Sequence, residues 1–92
     1  MDTSSRNGEN RRMPIQPSPF YAERLDPARN MARFYALEVC EDLFGAIWVE
    51  RRWGRIGSRG QTKVELIGIG EDPFTRLAAL ARKKTQRGYR PK

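Results

Sequence analysis

From Arg33 to Glu41 the side chains alternate, with Tyr35, Leu37 and Val39 on one face and Phe34, Ala36, Glu38 and Cys40 on the other. Period two is the signature of a β-strand, and the Tyr35 face is expected to meet the core. Asp42-Leu43-Phe44-Gly45 has the composition of a hairpin loop, and Ala46 to Trp53 forms the next strand. Gly57-Ser58-Arg59-Gly60 then turns the chain, so that Gln61 to Ile67 returns antiparallel with Thr62, Val64 and Leu66 opposite Gln61, Lys63 and Glu65. Upstream, Phe20 to Leu25 alternates more weakly and stops at Asp26-Pro27, where proline donates no ladder bond; this reads as an edge strand followed by a turn at Ala28-Arg29-Asn30.

After Gly70 the period changes. Asp72 is placed to cap a helix and Pro73 to occupy its first position, where a missing N–H costs nothing. Phe74, Leu77, Ala78 and Ala81 follow at helical spacing with Leu80 beside them, giving one apolar stripe. Gly88 ends the helix and Tyr89 is free to fold back onto its last turn. The prediction is an α+β domain over 20–92, an antiparallel sheet of about four strands with one C-terminal helix packed on it. Residues 1–19, with three prolines and little to bury, read as a disordered leader.

Strand parity also separates the two tryptophans. Trp48, Glu50 and Arg52 share one face of the second hairpin strand, and Ile47, Val49, Arg51 and Trp53 share the other. One indole can anchor the core while the other is presented outward, and parity alone leaves open which does which.

Composition narrows the function. Ninety-two residues make one small domain, which buries about 60–65% of its unfolded surface and has no room for a large internal cavity. With no histidine and a single cysteine, Cys40, no histidine-based acid or base, disulfide or metal motif is available, so neither catalytic residues, nor a metal, nor a cofactor is expected. Gly68-Ile69-Gly70 lacks the third glycine of a dinucleotide fingerprint. There is no secretory signal and no run long enough to span a membrane, so the expected setting is cytoplasmic, and nucleoid-associated if the protein binds DNA.

Charge points to an anionic partner. The net charge is +7 and the isoelectric point about 10.3. Residues 31–50 carry one basic and four acidic side chains, whereas 51–70 carry five and one, and 71–92 carry seven and two. Four arginines, one tryptophan and three glycines fall between Arg51 and Gly60. The guanidinium fork suits phosphate oxygens, and an indole offers a flat face to a sugar or base. Arg59 and Lys63 come back beside Arg51, Arg52 and Arg55 across the turn. The bland alternative is a solvated hairpin tip, and Lys83, Lys84 and Arg87 serve equally well as charges at a helix C-terminus.

Trp53-Gly54-Arg55, preceded by Ala46-Ile47-Trp48-Val49 and followed by Ile56-Gly57, resembles the signature of the WGR domain. This family occurs in poly(ADP-ribose) polymerases, in molybdate-metabolism regulators and as small stand-alone bacterial proteins. Phe34 to Val39 resembles its first well-marked strand, Trp48 the tryptophan five residues before the signature, and Leu77 to Tyr89 its closing helix. The resemblance implies a non-catalytic module that lies against a broken DNA end, Trp53 packing on the terminal nucleotide and Arg55 contacting phosphate or a partner domain. It also implies that Trp48 packs inside and Trp53 lies on the surface, which requires a break in parity near Arg51-Arg52. Gly54 completes the transferred motif; Arg51, Arg52, Arg59 and Lys63 are added from position and charge as a phosphate field. The expected partner is DNA at ends or nicks, bound by a monomer. The rival is an acidic protein docked on the same Trp–Arg surface, since both residue types are favoured at protein interfaces.

Overall fold

The computed structural model describes residues 12–15 and 19–92. In chain order the strands are β1 (Arg12–Pro14), β2 (Phe20–Asp26), β3 (Met31–Asp42), β4 (Ile47–Arg55), β5 (Gln61–Leu66) and β6 (Arg90–Pro91). One helix, α1 (Pro73–Gln86), lies between β5 and β6, and a single 3-10 turn, Pro27–Arg29, joins β2 to β3. The sheet order is β5-β4-β3-β2-β6, with β1 pairing to β3 beyond the end of β2. Every pairing is antiparallel.

The predicted α+β class holds, but the sheet has six strands rather than about four. The two additional strands are short. β6 follows the helix and pairs with β2, so β2 is an inner strand and not the expected edge. β1 falls within the expected leader: Pro14 sits opposite Cys40, and the Ile15 N–H donates to the Val39 carbonyl at 2.8 Å. Two or three residues of pairing carry too little periodicity to be read from sequence. The rest of that leader, 1–11 and 16–18, lies outside the described residues.

The core is the face that α1 covers. Ala22, Tyr35, Leu37, Val39, Val49, Ile67 and Tyr89 are buried together, and Phe74, Leu77, Leu80 and Ala81 of the helix pack against them. Trp53 packs there too. The β3–β4 register runs unbroken from Arg33↔Arg55 to Glu41↔Ile47, so no bulge reverses the side chains. This corrects the tryptophan assignment. Trp53 shares the core-side face with Val49, while Trp48 lies on the opposite face, half-buried, its indole N–H donating to Asp42 Oδ2 at 2.9 Å. Asp42 Oδ1 also accepts from the Phe44 and Ala46 N–H groups, so Trp48 braces the β3–β4 hairpin rather than filling the core.

The helix ends follow the sequence signals. Asp72 Oδ1 accepts from the Phe74 N–H at 3.0 Å, and Pro73 opens the helix. Gly88 takes φ +99°, which lets the Tyr89 N–H return to the Lys84 carbonyl at 3.1 Å and sets the Tyr89 ring into the core beside Tyr35.

Candidate nucleic-acid interface

The site is built from rows of side chains across the sheet. Opposite residues in neighbouring strands bring Arg24, Arg33 and Arg55 into one row. The next row holds Ala22, Tyr35, Trp53 and Gln61, and the one after it Phe20, Leu37, Arg51 and Lys63. Parity puts all three rows on the face that carries α1. The middle row is where the helix ends, so Trp53 packs on the core and is only half-buried.

Two adjoining depressions meet at Trp53 and Lys84. One, of about 540 Å³, is lined by Arg33, Trp53, Gly54, Arg55, Gln61, Lys84 and Tyr89. The other, of about 350 Å³, is lined by Tyr35, Arg51, Trp53, Lys63 and Lys84.

The charged residues that line them are all basic. Like charges directly opposite one another on a sheet destabilise it. Yet among the described residues no carboxylate forms an ion pair with Arg24, Arg33 or Arg55. Arg55 donates only a long 3.4 Å bond to the Asn30 carbonyl. Lys84 reaches in from the last turn of α1, its Nζ 4.7 Å from the centre of the Tyr35 ring and 5.5 Å from that of Tyr89. Burial first, then repulsion from Arg87, Arg51 and Arg33, holds its pKa below the ordinary lysine value. A groove that disfavours its own lysine's charge is one that an anion relieves.

The sequence profile of the WGR domain matches residues 18–92, that is, all of the sheet from β2 onward together with the helix. The chain belongs to the WGR family. It is 51% identical over 77 residues to an uncharacterized protein, y4dW, of Sinorhizobium fredii (strain NBRC 101917 / NGR234), covering 84% of this chain and 38% of that protein. The chain therefore spans well under half the length of this relative. Membership in a non-catalytic family is consistent with a nucleic-acid-binding or regulatory module. Among the described residues no helix is long and apolar enough to cross a membrane.

The WGR triplet itself divides its work. Trp53 lines both depressions and Arg55 one of them. Gly54 is a packing residue: a Cβ there would lie 2.7 Å from Gly60 Cα, and Gly60, at φ +75°, would drive its own Cβ into the Trp53 carbonyl. The backbone of the β4–β5 hairpin closes only because both lack side chains. Beneath it lies Phe34, 3% exposed, on which Tyr21 stacks at 6.1 Å between ring centres.

The outer members of the expected phosphate field separate. Lys63 faces the groove directly opposite Arg51. Arg51 is there as well, but Glu65 neutralises it at 2.9 Å, and its guanidinium lies 5.9 Å from the centre of the Trp53 ring with Nε buried and unbonded. It holds the indole more than it offers a free charge. Arg52 does not belong to the field: it lies on the opposite face, 5.2 Å above the Phe34 ring. Adjacent strand residues point to opposite sides, so Arg51 and Arg52 cannot both serve one groove. Arg59 is exposed in the turn after β4 and lines neither depression.

Sequence reasoning missed Arg24, Arg33, Gln61 and Tyr89, and gave Lys84 no preference over a capping charge. Arg24, Arg33 and Arg55 lie far apart in sequence, and only the strand register aligns them. On the opposite face, Glu38, Cys40 and Glu50 bring one ligand atom each to within 4.8 Å of one another. That is three donors where a structural zinc site uses four, and the Cys40 thiol is engaged with Glu50 at 3.9 Å.

Proposed function

We propose that this WGR domain binds DNA without catalysis, at ends or nicks, through the helix-side groove around Trp53. The observation that carries this reading is the row Arg24–Arg33–Arg55, three guanidinium groups with no carboxylate partner among the described residues, running beside a half-buried tryptophan that is itself fixed by core packing. Arginine forks bind phosphate oxygens in pairs of hydrogen bonds, so the row suits a strand backbone. A continuous duplex hides its base faces within the stack, whereas a terminus exposes one against which the indole can pack. Lys63 and Lys84 close the groove on the other side of Trp53.

The test is a titration of labelled blunt-ended, nicked, single-stranded and closed-circular DNA at two salt concentrations. Affinity for blunt or nicked duplex should exceed that for closed-circular duplex by at least about fivefold, the low end of one base–aromatic stack. Equal affinities would reduce the site to a basic patch that reads backbone alone. No binding to any DNA by the folded protein would move the assignment to an acidic protein partner on the same surface.

A further inference from the structure

The two sides of the sheet end differently. On one side β6 is two residues long and contains Pro91, a device that blunts an edge. On the other, β5 is six residues of extended chain without proline, glycine or a bulge, and among the described residues it pairs only with β4. The Ile67 N–H donates to the Ile47 carbonyl at 2.9 Å. Backbone groups alternate along a strand, so Gln61, Lys63 and Glu65 also turn theirs toward β4, and Thr62, Val64 and Leu66 turn theirs outward.

We infer that β5 pairs with β5 of a second copy about a two-fold axis at Val64, making one continuous sheet. Three facts select this partner and register. The outward-facing N–H and C=O of Val64 then meet those of Val64 of the second copy, with Thr62 opposite Leu66 and Leu66 opposite Thr62. Lys63 falls opposite Glu65 and Glu65 opposite Lys63, two reciprocal charge pairs at the closer, non-hydrogen-bonded spacing. The neighbouring two-fold registers set Lys63 against Lys63, which charge rejects, or Glu65, already held by Arg51 and Arg76, against Glu65, which leaves Lys63 opposite the apolar Ile67. On the open face, Leu66, 57% exposed in the single chain, gains cover beside Val64. An axis perpendicular to the sheet makes the interface isologous and keeps both Trp53 grooves on the same side. This departs from the monomer expected from sequence, and it stands whether or not DNA is the ligand.

The experiment combines sedimentation with register-specific crosslinking. The parent should show a concentration-dependent monomer–dimer equilibrium, and Lys63→Glu should shift it to monomer by setting four carboxylates along the seam. Val64→Pro removes an N–H that bonds nothing in β4, so it should abolish the dimer while preserving the circular dichroism of the fold. Under mild oxidation, Val64→Cys should crosslink to itself at least tenfold faster than Thr62→Cys, whose counterpart lies about 13 Å away along the seam, too far for a disulfide. The native Cys40, 1% exposed, does not compete. A parent that sediments as a monomer throughout, or equal crosslinking of the two cysteine variants, overturns the inference. If Val64→Pro fails to fold, Lys63→Glu and the cysteine pair still decide it.

Discussion

Arg55→Ala and Arg52→Ala differ by three positions and one strand face, and only the first should weaken DNA binding. Among the described residues of one chain, five helix-side cations form no ion pair with a carboxylate: Arg33, Arg55, Lys63 and Lys84, which line the two depressions, and Arg24, which the register places opposite Arg33. If each neutralises one phosphate, the logarithm of the affinity should fall with the logarithm of salt at a slope of about −4.5 on duplex DNA. Raising salt from about 50 to 200 mM then weakens binding by about 500-fold. Arg55→Ala removes one contact, so the slope should ease to about −3.6 and the same salt step should cost about 150-fold. Among the described residues its side chain makes one hydrogen bond, the long exposed one to Asn30, too weak for its loss to unfold the domain. Arg52→Ala forfeits only a cation–π contact on the other face, about 0.5–1 kcal/mol of stability, and should leave the slope unchanged. Fluorescence anisotropy at four or five salt concentrations, with circular dichroism as a fold control, measures both. A slope that eases equally for the two variants would show that the helix-side face is not the binding face.

Two further perturbations probe the scaffold. Gly60→Ala forces a positive-φ residue and a clash with the Trp53 carbonyl, and should cost well over the roughly 1–2 kcal/mol expected of Gly57→Ala, which has positive φ but open space around it; urea unfolding ranks the two. For Lys84 the folded-state pKa lies below the ordinary lysine value of 10.5, so the folded protein holds fewer protons than the unfolded one, and stability relative to Lys84→Gln should rise as pH climbs through the window just beneath 10.5. A pH-independent difference between parent and variant, measured by thermal melts, would remove Lys84 from the charged groove.

Segregation by face explains why so basic a chain can hold an arginine row. Glu65 joins Arg51 at 2.9 Å and Arg76 at 2.8 Å, and Glu71 joins Arg76. These acids hold the end of the groove nearest the start of α1. Glu23, Glu38 and Glu50 lie on the opposite face by strand parity, so they leave the Arg24–Arg33–Arg55 row unscreened from below.

The sequence by itself determined the elements and much of the local chemistry. Alternation through Tyr35, Leu37 and Val39 marked the central strand and its buried face, because period two is a local property of extended chain. Asp72-Pro73 and Gly88 marked the helix ends, because capping bonds span only a few residues. The Trp53-Gly54-Arg55 triplet marked the family. Parity showed that the tryptophans oppose each other, but not which face the helix would cover, since β5 puts Val64 and Leu66 on the side away from it. Only the tertiary structure decided that Trp53 is the one packed beneath the helix end, that Arg52 faces away, and that Arg24, Arg33 and Arg55 stand in line. Those facts depend on register between strands up to 31 residues apart in sequence, which is set by hairpin closure and by the face α1 buries, and no local pattern along the chain encodes them.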